Sequence, residues 1–154
     1  MTIKASRNVA AIVLDNKSPV KCGFYCICKW WKGIKEYETI PKVKINVDDN
    51  ESGPSGGLIT ALAIYNSLVE TDITNNLTIV GTGTIEEDGS IGSIGGVEYK
   101  LKSAVRSNAD LFIVPMDENY ESAIKYKKEN NYEIDIIGVS TFDEAVKYLE
   151  NVNH

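Results

Sequence analysis

Gly53-Pro54-Ser55-Gly56-Gly57 sets a serine between a turn-rich loop, Asp48 to Gly57, and a stretch with helical periodicity. Proline is common at the start of a helix because the first N–H groups have no partner within it. The glycines let the backbone approach a neighbour closely. A serine in this place presents its hydroxyl beside unpaired N–H groups and the positive end of the helix dipole. That setting suits an oxyanion forming next to a nucleophile. Pro54 has no N–H, so the donors would be the backbones of Gly53, Ser55 or Gly56. Two other readings stay open at this point. Ser55 could serve only as a helix cap. The loop could cradle phosphate, although the Gly-Lys-Ser/Thr ending of a P-loop is absent.

A nucleophilic serine needs a base, and the usual one is missing. The only histidine is His154, the last residue, where chains fray. Ser-His-Asp and Cys-His mechanisms need an oriented imidazole inside the site. A lysine can replace it if desolvation lowers its pKa from about 10.4 towards neutrality. Val97, Leu101, Ala104 and Val105 recur on one stripe after Gly95-Gly96. Lys100 falls about 80–85° from the centre of that stripe and Lys102 about 115° on the other side. Lys100 is the better-buried candidate, against the alternative of a lysine snorkelling at the surface.

Metal and redox chemistry find little support. Cys22, Cys26 and Cys28 are odd in number and tightly spaced, with no histidine nearby. They read as packing thiols of a strand in a reducing compartment. No metal and no cofactor are expected.

The elements that must position Ser55 and Lys100 follow from periodicity. Residues 8–48 read as β structure, with alternation at Phe24 to Trp31, Ile34 to Ile40 and Val43 to Val47. Leu58, Ala61, Leu62, Tyr65 and Leu68 mark a helix. Leu77 to Val80 reads as a short strand, and Ile85 to Ile91 as a hairpin around Asp88-Gly89. A helix opened by Gly95-Gly96 follows, then a buried strand from Leu111 to Val114 closed by Pro115. Tyr120 to Glu129 reads as helix and Ile134 to Val139 as strand. The last helix starts at Thr141, with Glu144 completing a capping box. Phe142, Ala145, Val146 and Leu149 form its buried face. The pattern predicts one mixed α/β or α+β domain over residues 1–154, β-rich in its first third and alternating afterwards.

Composition narrows the class. The chain has 154 residues, 43% hydrophobic and 25% charged, with a net charge of −6. An acidic chain lowers the rank of nucleic-acid binding. No apolar run is long enough to span a membrane, and the first eight residues carry no signal peptide. A soluble, cytoplasmic protein is expected, or a soluble fragment of a membrane-anchored one.

The combination of motifs resembles a family. Gly53-Pro54-Ser55-Gly56-Gly57 is similar to the nucleophile motif of Lon-type peptidases, usually G-P-S-A-G. Thr82-Gly83 resembles the family's T-G step, and Ile94-Gly95-Gly96-Val97-Glu98-Tyr99-Lys100 its I-G-G-x-x-x-K stretch. Leu111 to Pro115 is similar to the proline-ended strand that follows. The resemblance runs from about residue 43 to the C-terminus, and residues 1–42 diverge. Ala63 to Asn66 and Gly81 to Gly89 resemble the signature stretches of PDZ-associated Lon-like peptidases of Gram-positive bacteria.

The resemblance implies Ser55 as nucleophile, Lys100 as general base and Thr82 as a hydrogen-bond partner orienting the lysine. It implies cleavage of unfolded or flexible protein segments and a homo-oligomer. It also allows a regulatory or membrane-anchoring partner domain outside this chain. No Walker A pattern occurs, so cutting without ATP is expected. The alternative is a non-catalytic Lon-like assembly or peptide-binding module. Gly56 replaces the usual alanine, Ser52 the usual aspartate, and Thr84 a glutamate found in many full Lon proteases.

Overall fold

The computed structural model describes residues 54–152. The expected N-terminal β structure, the three cysteines, Gly53 and His154 lie outside the described residues. A single 3-10 turn, Pro54–Gly56, leads into α1 (Gly57–Leu68). Then come β1 (Ile79–Gly81), β2 (Thr84–Ile85), β3 (Ile91–Gly92) and α2 (Val97–Arg106). β4 (Leu111–Pro115), α3 (Glu118–Glu129), β5 (Asp135–Val139) and α4 (Phe142–Asn151) complete the chain. The architecture is mixed α and β, as the alternating periodicity predicts.

β1, β4 and β5 form a parallel sheet in the order β1-β4-β5. Ile79 aligns with Leu111, and Leu111 in turn with Asp135. All five β4 residues are buried, which suits a parallel strand covered on both faces. Its side chains alternate between two cores. Leu111 and Ile113 pack with α1 and α4, through Leu58, Leu62, Phe142, Ala145 and Leu149. Phe112 and Val114 pack with α2 and α3, through Val97, Leu101, Ala104 and Ala123.

Local chemistry sets the element ends. Thr141 caps α4, its hydroxyl accepting from Glu144 N at 3.2 Å. The Glu144 carboxylate accepts from Ser140 N at 2.7 Å, one residue before the cap. α3 begins at Glu118, before the Tyr120 read from periodicity, because Asp117 accepts from Asn119 N and caps the helix. β1 starts at Ile79 and not Leu77. Leu77 N is used in a turn to Thr74 O, and Thr78 N donates to the Asp110 carboxylate. The β2–β3 hairpin does turn at Asp88-Gly89, where Asp88 accepts from Ser90 N and Oγ. Among the described residues, no helix is long and apolar enough to cross a membrane.

Candidate active site

Ser55 is half-buried in the 3-10 turn that Pro54 begins. Its main chain is fastened to the segment after β1. The Ser55 carbonyl accepts from Gly83 N at 2.9 Å and from the Thr82 hydroxyl at 3.0 Å. Gly83 O accepts from Leu58 N at 3.1 Å, so the turn and the first residues of α1 are gripped together. Gly83 has φ 153, and a Cβ there would stand 2.7 Å from Ile91 Cγ2. Only glycine lets the chain pass this close to β3. The helix cap position falls on Gly56, which has no side chain to bond with. The Ser55 hydroxyl is therefore not spent on capping.

It accepts instead from Lys100 Nζ, at 3.0 Å. Lys100 lies in the first turn of α2, whose start is Gly96 in the left-handed region at φ 68. Val97, Leu101 and Ala104 are buried against the sheet. Lys100 is half-buried and Lys102 exposed, as the stripe geometry predicts. Burial pushes the Lys100 amine below the ordinary lysine range, because water no longer solvates its charge fully.

Thr82 binds the serine turn. It is 2% exposed, its N–H donates to Ile113 O, and its hydroxyl goes to the Ser55 carbonyl rather than to Lys100. It follows β1 directly, and its hydroxyl meets the serine turn. Of the backbone donors expected for an oxyanion, Ser55 and Gly56 lie in the 3-10 turn. Gly53 is outside the described residues.

Two residues that periodicity did not single out, Asn119 and Asp117, hold the segment that leads into the lysine's helix. Asn119 Oδ1 accepts from Ile94 N and its Nδ2 donates to Ile94 O, both at 2.8 Å. The Ser93 hydroxyl donates to the Asp117 carboxylate. An Asp two residues before an Asn, just past a buried strand, is a readable helix start. Its partner across the fold is not readable. Among the described residues, no group of three or more His, Cys, Asp or Glu could hold a metal ion.

A serine hydroxyl in contact with a desolvated amine is a pairing that can pass a proton and form an ester. The family model described as the Lon protease (S16) C-terminal proteolytic domain matches residues 39–151. The Lon protease of Chlamydia pneumoniae is 31% identical over 118 residues, 72% of this chain and 14% of that protein. Lon protease 2 of Bacillus subtilis is 36% identical over 94 residues, 61% of this chain and 16% of that protein. Lon protease of Malacoplasma penetrans is 33% identical over 100 residues, 64% of this chain and 12% of that protein. The chain thus spans a small part of the length of these relatives. With Ser55, Thr82 and Lys100 inside the matched segment, the chain belongs to the family of Lon protease C-terminal proteolytic domains.

Proposed function

We propose that this domain is a serine endopeptidase in which Ser55 is the nucleophile and Lys100 the general base. The observation that carries the reading is the 3.0 Å contact between Lys100 Nζ and Ser55 Oγ. The lowered pKa of the half-buried amine adds to it. Neutral Lys100 takes the Ser55 proton as Oγ attacks the scissile carbonyl carbon. The backbone N–H groups of Gly53, Ser55 and Gly56 are the proposed holders of the developing oxyanion. Protonated Lys100 then gives its proton to the leaving amine. Water attacks the Ser55 ester by the same route, with Lys100 again taking and returning the proton.

Thr82 takes a different part from the one expected. By holding the Ser55 carbonyl it fixes the turn from which Oγ projects. The substrates proposed are unfolded or flexible protein segments, cut without a nucleotide at the site. A homo-oligomer and a cytoplasmic setting belong to the same proposal, on the strength of the family likeness and the three thiols. The test is cleavage of an unfolded protein followed on a gel. Wild type cuts it, and Ser55→Ala and Lys100→Ala do not. Equal cutting by either variant would remove the proposal.

A further inference from the structure

The helix that carries Lys100 is packed into the core through Val97, Leu101 and Ala104, but its entry is weakly fastened by its own sequence. Gly96 at its start offers no side-chain cap. Gly95 and Gly96 are both exposed, and a Cβ on Gly95 would meet nothing within 4 Å. A pair of glycines is a flexible joint. Something must still fix the lysine's helix at the sub-ångström level that proton transfer needs.

The structure supplies that from the next helix. Asn119 is 9% exposed, and both ends of its amide are used on one residue, Ile94 N and Ile94 O. This two-point grip fixes the peptide plane on each side of Ile94, just before the glycine joint. The adjacent Ser93 is held by Asp117, and Asp117 also accepts from Asn119 N at 2.7 Å. Asp117 and Asn119 in turn stand two and four residues after Pro115, the last residue of β4. Met116 N donates to Val139 O, which continues the sheet up to that point. The path therefore runs from β4 through Asn119 to Ile94, the glycine joint and Lys100.

We propose that Asn119 is a positioning residue that locks the Ile94 main chain and so places the Lys100 amine against the Ser55 hydroxyl. This rests on the peptidase reading for its effect on cleavage, but not for its effect on the amine. Within the described residues, Glu98, Tyr99, Lys102 and Arg106 share α2 with Lys100. Asp117 and Glu118 stand at the head of α3, Glu86, Glu87 and Asp88 at the tip of the hairpin, and α1 opens without an acidic residue. Burial is what lowers the amine's pKa, so losing the lock should expose it.

The experiment follows the Lys100 side-chain resonances of isotope-labelled protein during a pH titration. Cleavage of an unfolded protein is measured in parallel. Asn119→Ala should raise the Lys100 midpoint towards that of an ordinary lysine. It should lower kcat about 10-fold or more with KM changed less than about 2-fold. Thr141→Ala removes a side-chain cap on α4 and leaves the Asn119–Ile94 bonds untouched. It should lower thermal stability and leave the Lys100 midpoint in place. Asn119→Ser, neutral and smaller, gives the same reading if the alanine variant does not fold. An unchanged midpoint in the Asn119 variants overturns the proposal, as does a midpoint that Thr141→Ala moves equally. A raised midpoint in a protein that never cuts would sink the peptidase reading and leave the positioning role standing. Cleavage that vanishes in Ser55→Ala but is untouched in Asn119→Ala would do the reverse.

Discussion

The two halves of the Ser55–Lys100 pair are held in opposite ways. The serine half is fastened mainly by main-chain bonds: Gly83 N to Ser55 O, Leu58 N to Gly83 O, and Thr82 N to Ile113 O. Gly56, Gly57 and Leu58 are buried, so the turn runs directly into a core. The lysine half has its helix packed through Val97, Leu101 and Ala104, but the segment leading into it runs through exposed glycines and is tied by side chains, Asn119 and Asp117. Main-chain bonds survive most substitutions, because every residue but proline offers the same groups. Side-chain bonds do not. Outside Ser55, Lys100 and the glycines that close packing requires, such as Gly83, the serine half should therefore tolerate side-chain change better than the entry to the lysine helix.

The largest effect should come from those groups. Ser55→Ala or Lys100→Ala should lower kcat by about 10³-fold or more, and the double variant hardly further, because the two act as a unit. Single-turnover cleavage of a fluorogenic peptide would measure this. Losses that add in the double variant would break the idea of one shared proton.

Next in size is the pH dependence. Protonated Lys100 cannot accept the serine proton. With the amine's pKa lowered by burial, activity should rise with pH through that lowered value and fall about tenfold per unit on its acid side. A pH profile of kcat/KM checks this, and a flat acid limb would count against Lys100 as base. The same shift has a stability consequence of fixed sign. Between the lowered folded value and the unfolded value near 10.4, the unfolded chain binds more protons, so stability rises with pH across that window.

A smaller effect sharpens the serine half. Thr82→Val keeps shape but removes the donor to the Ser55 carbonyl. It should cost about 1–2 kcal/mol in denaturant unfolding, with Thr82→Ser restoring most of it. Activity lost without any stability change would mean that Thr82 acts on the lysine after all. The smallest effect expected is at the glycine joint. A Cβ on Gly95 meets open space, so Gly95→Ala should shift stability by less than about 0.5 kcal/mol. A large drop in melting temperature would show that the lysine half is more tightly built than its contacts suggest.

Much of the frame is legible in the residues. The apolar stripe of Val97, Leu101 and Ala104 marks one side of α2 and puts Lys100 nearer the core than Lys102. The unbroken run Leu111 to Pro115 marks a strand with both faces covered. Thr141 and Glu144 mark the start of α4 because capping is local chemistry. What stays hidden is whatever depends on a partner far along the chain. Periodicity says that Thr82 follows a strand, but not that the neighbouring turn at Ser55 receives its hydroxyl. It starts the helix at Tyr120, leaves Asn119 just ahead of it, and gives no sign that Ile94 lies across from it. The order β1-β4-β5 is hidden too, since each strand shows only its own burial.

β4 lies between β1 and β5 with all five residues buried. Its amides should be among the slowest in the molecule to exchange with deuterium, opening only with the whole domain. Thr82 reaches this strand at Ile113, and Asn119 follows from its end at Pro115. Helices on either side can breathe at their tips and still settle back against the same ruler, so a briefly parted serine and lysine would be returned to their former spacing.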